Sequence, residues 1–308
     1  MIKKVLIISV FLLSSVIGIF HFNKQRNVNK TLMNVAVSSK EDIVLCVRPS
    51  SDLNGLPVAD RIEELFNTMG PKSELVDTVR YTSRVDWKKD KKPAWLADYA
   101  THFETSKHFI ARSLNATKDY LKQEIKQGDH FNVLKKQVQF YMLVDLSRSR
   151  AWLYGLNEQT KKSILLKTYL VGLGTLDPKS ESGCQTPLGL FKLQENVASY
   201  REGVFDQYQN KKTEMIQVFG TRWIPMKSGL QDQKGLGLHG CPWKKEESGQ
   251  FVEERYLIGQ YLSDGCVRFL QEDIEEIYSI CISKPTFVEV VQSFDEATFL
   301  KEGRWHNE

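Results

Sequence analysis

The sequence is poor in chain breakers and has no repeats. Nine prolines and 19 glycines in 308 residues leave no room for a long low-complexity stretch. It lacks a strong charge of either sign, with 42 Lys and Arg against 38 Asp and Glu, a net +4. No dense basic patch interleaved with aromatics occurs, which argues against nucleic acid as a partner. Metal spacing is also missing. The five cysteines are Cys46, Cys184, Cys241, Cys266 and Cys281. None forms a C-x-x-C pair, and Cys184, Cys241 and Cys266 lie far apart, so no metal site is expected. What is present is ordinary for a folded soluble chain: 41% hydrophobic and 26% charged residues, enough for one large or two moderate domains.

The N-terminus departs from that average. MIKK precedes VLIISVFLLSSVIGIF, an uncharged apolar run from Val5 to Phe20. Such a core suits a signal peptide, whereas a spanning helix needs about 20 residues. Extension through Phe22 approaches the lower limit for a span, and neither an A-x-A cleavage site nor a nearby lipidation cysteine follows. Residues 1–22 are therefore a signal peptide or a membrane anchor, and both readings stay open. Lys3 and Lys4 face Lys24 and Arg26 across the run, so charge does not set its orientation. Either way, the bulk of the chain is expected outside the cytoplasm, with membrane contact only through this segment. An odd cysteine count in an exported chain leaves at least one thiol without an intramolecular partner. Disulfides among the other four are allowed, but spacing does not assign them.

Residues 23–80 read as a linker with a short structured region. IVLCV around Cys46 has strand character, and ADRIEELFNTMG places Ile62, Leu65, Phe66 and Met69 at helical spacing with Gly70 as C-cap. From 81 to 136 a compact unit is expected. YTSRV reads as a strand, AWLADYATHF as a helix with Trp95, Leu96, Tyr99 and Phe103 on one face, and SKHFIARSLN as a second helix capped by Thr105 or Ser106. Gly128-Asp129 turns into an alternating strand. This strand–helix–helix–strand order resembles a LysM module, on Leu96-Ala97, Tyr99-Ala100, Phe103, Ile110, Leu114-Asn115, Ile125, Gly128-Asp129 and Phe131–Val133. The resemblance implies binding of peptidoglycan glycan strands by 81–136. The family's G-D-T-L turn is replaced by WKKDKKPAW, Trp87 to Trp95. A helical spacer without glycan binding is the alternative.

From Val138 short strands dominate: VQFYMLVDL, RAWLYGL, ILLKTYLVGLG, TPLGLFKL, MIQVFGTRWIPM and PTFVEVV. Their spacing predicts a mostly β domain over 138–292, a sandwich or barrel, followed by a tail over 293–308. One helix, QEDIEEIYSIC, interrupts it just after Arg268-Phe269.

Cys266 sits in LSDGCVRF. A cysteine nucleophile needs an imidazole base and donors for the oxyanion it creates. Of six histidines, only His239, in GLGLHGC, falls within the β domain. Here the pattern becomes specific. GLHG, a loop and then SDGCVRF resemble the signature of the L,D-transpeptidases, the YkuD-type catalytic domain. VDLSRSRAWLYG, KTYLVGLG, TPLGLFKL and PTFVEVV resemble its flanking strands and its Thr-Pro-x-Gly-x-Phe turn.

The resemblance implies Cys266 as nucleophile, His239 as general base, and the Gly240 carbonyl as the group that orients the imidazole. It places the oxyanion donors at the backbone amides near Gly265 and Cys266. Ser263 matches the family hydroxyl residue. Arg268 would support the site or hold a substrate carboxylate; its structural alternative is an ion pair with the acidic helix that follows. Two features depart from the family. Asp264 replaces the usual histidine, and a carboxylate there raises the pKa of a neighbouring thiol, although it could recruit an amine. Cys266 follows His239 by 27 residues, longer than usual, so PWKKEESGQFVEERYLIGQY is expected as a surface lid.

The implied reaction is peptidoglycan crosslinking. Cys266 takes the acyl group of a tetrapeptide stem, D-alanine leaves, and a stem amine on a second strand resolves the thioester as a 3-3 crosslink. Water as acceptor would make an L,D-carboxypeptidase, and a protein lysine an anchoring enzyme. An inactive glycan-binding envelope protein and a structural β domain with a buried cysteine are the non-enzymatic readings. No cofactor is implied. The expected location is the cell envelope, periplasmic or extracytoplasmic, with residues 5–22 as the possible inner-membrane tether.

Overall fold

The computed structural model describes residues 53, 55–87, 94–115, 124–228, 235–298, 301 and 306–307. The chain divides into two compact units, Met1–Val44 and Leu45–Glu308. The first, with the apolar run at 5–22, lies outside the described residues, as does the strand expected at Cys46. Among the described residues no helix is long and apolar enough to cross a membrane.

The apolar density of two strands explains the centre of the fold. Strands β3 (Val138–Asp145) and β4 (Arg150–Asn157) are buried at nearly every position, which requires cover on both faces. Alternation then sorts the side chains. Phe140, Met142, Val144, Ala151 and Leu153 face the main core. Tyr141, Leu143, Trp152, Tyr154 and Leu156 face a second layer with Leu53, Leu56, Phe294 and Ala297. Trp152 is fully buried and donates its indole N–H to the Pro57 carbonyl at 2.8 Å. Each such large apolar side chain contributes about 1.5–3 kcal/mol on burial.

The main sheet has ten strands. In space, β16 (Val267–Phe269), β12 (Gly237–Gly240), β11 (Arg222–Ser228), β7 (Gly189–Leu193), β17 (Thr286–Val291), β3, β4, β5 (Lys162–Leu170) and β18 (His306–Asn307) follow in order, and β8 (Ala198–Ser199) pairs β11. Three pairings, β12 with β16, β17 with β3 and β18 with β5, are parallel. The expected helix occupies Gln271–Cys281 and buries Ile274, Ile277 and Ile280 in the main core. Smaller pairs join β6 (Leu173–Gly174) to β15 (Tyr261–Ser263), β9 (Phe205–Tyr208) to β10 (Lys211–Glu214), and β13 (Trp243–Lys245) to β14 (Phe251–Glu253).

Strand β1 (Val76–Arg80) pairs antiparallel with β2 (His130–Leu134), and helices Leu96–His102 and Lys107–Asn115 lie between them in sequence. The strand–helix–helix–strand order is present, but its first strand precedes YTSRV, whose Val85 opens a short 3-10 turn. Ser106 caps the second helix by accepting from the His108 amide at 3.1 Å. This unit does not hang free. Tyr99, Ile110 and Phe131 fill a small core of their own, while Phe109, Leu134 and Val76 enter the main core. Arg112 meets Glu276 of the helix Gln271–Cys281 at 3.4 Å, both nearly inaccessible.

Two local expectations change. Over 59–70, the helix covers only Glu63–Phe66. Asn67 stops it, its Oδ1 accepting from the amides of Met69 and Gly70 at 3.0 and 2.9 Å, and Met69 is 90% exposed. MIQVFGTRWIPM is not one strand: Ile216–Phe219 is a helical turn, and β11 begins at Arg222 after Gly220. The 242–261 insertion, expected as a surface lid, is tied to the helix that follows it. Glu253 accepts from the first amide of the helix at Gln271 (2.6 Å), and Arg255 bridges Glu253 and Glu272 at 2.8 and 2.6 Å.

Candidate active site

Strand pairing places His239 and Cys266 on neighbouring segments of the sheet. Strands β12 and β16 run parallel with His239 opposite Arg268, so the residue just before β16, Cys266, lies beside the N-terminal half of β12. The Cys266 thiol donates to the Gly235 carbonyl at 3.3 Å and receives a hydrogen bond from the Gly237 amide. Position 237 must be glycine for space: a Cβ there would come within 2.6 Å of the Ile224 carbonyl oxygen.

The turn that presents Cys266 is clipped from inside. Ser263 Oγ donates to the Cys266 carbonyl at 2.6 Å and accepts from the Gly265 amide at 3.2 Å. Gly265 has φ +113°, and a Cβ on it would sit 2.8 Å from the Gln185 carbonyl oxygen. Ser263 is buried, so its hydroxyl holds the loop and does not face a ligand. The Gly265 amide is likewise spent on Ser263. The Cys266 amide has no acceptor among the described residues, which makes it the donor available to an oxyanion at this turn.

His239 is 3% exposed, and its Nδ1 lies 2.7 Å from the Gly240 carbonyl oxygen. A carbonyl only accepts, so Nδ1 carries the proton and Nε2 keeps a lone pair. Burial, with Arg268's positive charge adding, depresses the His239 pKa to about 3. Burial pushes the Cys266 thiol up to about 11, against the Gly237 hydrogen bond and the Arg268 charge, with Asp264 adding to the rise. The resting pair is therefore neutral thiol and neutral imidazole. Burial thus opposes the ion-paired thiolate commonly used to activate cysteines.

Cys241 is no rival in this geometry. It is fully buried, its amide donates to the Phe269 carbonyl at 2.8 Å, and its thiol is raised to about 12. Cys281 is also raised to about 12. Cys184, Cys241, Cys266 and Cys281 are all free thiols, so no disulfide forms among them; Cys46 lies outside the described residues.

Arg268 forms no ion pair with the helix Gln271–Cys281. That helix's acids are taken by others: Arg255 holds Glu272, Lys167 holds Asp273 and Glu276, and Arg222 lies 3.7 Å from Glu275. Arg268 Nε is buried without a partner, while Cys241, Cys266, Asp264 and Glu254 act on its charge. Asp264 is exposed, and the Tyr208 hydroxyl approaches its Oδ2 at 3.5 Å.

An aromatic wall escaped the sequence reading. Phe219 stands edge-on to the His239 ring at 5.3 Å and packs on Trp223 at 4.7 Å, with Tyr208 and Tyr200 at 5.5 and 6.1 Å. These residues come from separate segments of the chain and share no period, so nothing in the sequence marked them as a cluster. Thr186 of the expected Thr-Pro turn is buried and accepts from the Gly174 amide at 2.7 Å. Among the described residues no group of His, Cys, Asp or Glu could hold a metal ion.

A weakly acidic thiol, a neutral imidazole with Nε2 free to take a proton, and a free backbone amide at the thiol's own residue form a set suited to acyl transfer. The match to a family model points the same way. Residues 139–290 match the family model YkuD, the L,D-transpeptidase catalytic domain. A search of curated proteins finds no match. Among solved structures, Bdellovibrio bacteriovorus Bd1075 is similar at 15% identity, with 50% of this chain and 47% of that one covered and a TM-score of 0.34. The helical cell shape determining protein Pgp2 from Campylobacter jejuni is similar at 14% identity, covering 51% and 49%, with a TM-score of 0.34. The chain spans about half the length of these structures.

Proposed function

We propose that the chain is a peptidoglycan L,D-transpeptidase working through a Cys266 thioester. The observation that carries this reading is the Nδ1 contact of His239 with Gly240 at 2.7 Å, which leaves Nε2 as a base on the strand paired to β16. The match over residues 139–290 to the L,D-transpeptidase catalytic domain supports the substrate class.

In the first half-reaction Nε2 takes the thiol proton as Sγ attacks the carbonyl of the third stem residue. The Cys266 amide stabilises the oxyanion, and the wall of Phe219 and Trp223 keeps water from the ring. Collapse breaks the C–N bond, and the imidazolium returns its proton to the departing D-alanine. In the second half-reaction a side-chain amine of another stem attacks the thioester, again losing a proton to His239, and the thiolate leaves and is reprotonated. Because thiol and imidazole start neutral, proton transfer accompanies attack and does not precede it. The product is a 3-3 crosslink.

Two further parts of the reading extend from this. Residues 81–136 lie close to glycan strands, with the LysM-like order and Trp95, 65% exposed at the start of its helix, as support. The envelope is the site of action, with residues 5–22 as tether or leader. Mass spectrometry of muropeptides incubated with the full chain tests the proposal. D-alanine release with 3-3 dimers is the expected result. Release without dimers would assign a carboxypeptidase, and a folded chain that releases nothing would overturn the enzymatic reading.

A further inference from the structure

A cavity of about 500 Å³ opens in the N-terminal part of the chain, at the end of the β1–β2 pair, a size suited to a small ligand. Phe103 and Val133 give it apolar surface, and Asp77, Glu104, Lys135 and Lys136 bring charges of both signs. None of its lining residues belongs to the active-site strands β12 and β16.

The fold builds this cavity from two directions. Asp77 and Val133 are opposite one another in the β1–β2 register, so their side chains share a face. The helix Leu96–His102 ends at the cavity: Phe103 is its C-cap, and Glu104 turns the chain with φ +48°. Thr105 then bolts the turn to β2, its Oγ1 accepting from the Leu134 amide at 3.0 Å and donating to the Phe103 carbonyl at 3.1 Å. His102, also in the lining, is held by stacking on Trp87, with ring centroids 4.1 Å apart.

The charges around the cavity do not close on one another. Lys135 Nζ lies 3.8 Å from Asp77, and Lys136 Nζ lies 3.9 Å from Glu104, both beyond hydrogen-bond length. Such pairs contribute little to stability, so a ligand loses little by opening them. A third cation stands nearby. Lys284 is 7% exposed, its Nζ is buried with no partner among the described residues, and Glu104 and Lys136 act on its charge. Its segment is tied to the same turn, the Ser106 amide donating to Ser283 Oγ at 2.8 Å. Lysines 135, 136 and 284 outnumber the carboxylates of Asp77 and Glu104, and the balance is positive.

Charge decides the class of ligand. A neutral N-acetylglucosamine chain offers hydroxyl and acetamido groups and leaves these ammonium and carboxylate groups without counter-ions. A net acidic peptide that also carries an ammonium meets both signs, and its methyl groups meet Phe103 and Val133.

We propose that this cavity docks an acidic stem peptide of peptidoglycan, so that the chain holds one stem there while Cys266 works on another. Lys135 and Lys136 take the peptide's carboxylates, and Asp77 takes its ammonium. The choice of this peptide rests on the reading of the chain as a stem-processing enzyme.

Photoaffinity mapping on the full chain in detergent reads the two sites separately. The probe is an N-acylated L-Ala-γ-D-Glu-diaminopimelate-D-Ala tetrapeptide with a diazirine in its acyl group. Mass spectrometry is expected to find label on segments 102–104 or 133–137, beside any label near Cys266. Lys135→Glu with Lys136→Glu lowers the cavity label about tenfold, the size of one charge-assisted hydrogen bond, and leaves label near Cys266 unchanged. Lys136 is exposed and Lys135 half-buried, so the variant is expected to fold, which circular dichroism checks. Asp77→Asn, which keeps the shape of the side chain, lowers the cavity label about threefold. Unlabelled tetrapeptide displaces the cavity label, and an N-acetylglucosamine oligomer at the same concentration does not. Absence of label at the cavity, undiminished label in both variants, or displacement by the oligosaccharide and not by the peptide overturns the proposal. Failure of the catalytic reading is separate: it appears as absent D-alanine release by the unaltered chain while the cavity label and its loss in the variants persist.

Discussion

His239 Nδ1 lies 2.7 Å from the carbonyl oxygen of Gly240, the next residue in its own strand. The chain therefore sets the tautomer of its base with its own backbone, where many nucleophile–base pairs use a carboxylate. A carbonyl holds the ring without adding negative charge, so burial and Arg268 are free to keep the imidazole neutral, with a pKa near about 3.

Cys266→Ala is expected to abolish D-alanine release from tetrapeptide stems while the fold persists. A thiol removed from a clipped turn leaves a small space, and a thioester route has no substitute nucleophile. Chromatographic assay of D-alanine, beside circular dichroism of the variant, checks this. Turnover at the wild-type rate in a folded variant would refute the thioester route.

Alkylation of Cys266 is expected to rise with pH toward about 11 and to show no step between pH 5 and 8. At neutral pH both partners are uncharged, so no imidazolium exists to release. Cys266 still labels ahead of Cys241 and Cys281, both raised to about 12. Mass mapping of limited iodoacetamide labelling across pH decides. A step near neutrality that disappears in His239→Ala would mean that a thiolate–imidazolium pair forms after all.

Acid should weaken the fold through its neutral histidines. His108 is held at about 4, by burial first and then by the charges of Arg222 and Lys107, against an ordinary 6.5. Below that ordinary value the unfolded chain binds a proton that the native chain refuses, so stability falls as pH drops from about 6.5 toward about 4 and is flat above. His108→Gln should shrink the loss of urea midpoint between pH 7 and 5. Comparing the two proteins cancels the buried carboxyls Glu276 and Asp273, whose raised pKa values work in the opposite sense. An identical loss in both proteins would count against the assignment.

Arg112→Met is expected to cost about 2–3 kcal/mol, at or below the lower end for breaking a buried ion pair. Glu276 keeps Lys167 at 2.9 Å and the Tyr169 hydroxyl at 2.9 Å, which limits the penalty. The lost bond joins the helix Lys107–Asn115 to the helix Gln271–Cys281. Urea unfolding should therefore remain a single transition at a lower midpoint. A neutral substitution would mean that the shared apolar core, with Val76, Phe109 and Leu134, holds the two parts together without this ion pair.

Much of the site was legible in the sequence because its parts are local. The glycines around His239, the Ser-x-Gly-Cys turn and the strand–helix pattern after Arg268 each act within a few residues, and the resemblance read from them over 138–292 falls on the stretch that matches the YkuD model. The helix Gln271–Cys281 was readable for the same reason: its apolar face and its length are properties of eleven consecutive residues. At Glu63–Phe66 the same periodicity overreached, because an Asn67 side chain captured the amides that would have continued the helix.

Composition and spacing by themselves pointed to Cys266 and His239, to the mostly β character of 138–292 and to the βααβ order, while the family resemblance supplied the roles of the two residues. They also ruled against a metal pattern. Only the tertiary structure decided the charge states and the partners. Whether the thiol is ionised depends on how far water is removed from it, and burial at 7% exposure prevailed over the nearby charges. Whether Arg268 pairs with the following helix depends on which cations reach that helix first: Lys167 and Arg255 arrive from strands and turns distant in sequence. The aromatic wall of Tyr200, Tyr208, Phe219 and Trp223 exists only after the chain has folded. Desolvation and long-range pairing are properties of the packed chain, and no local pattern of residues encodes them.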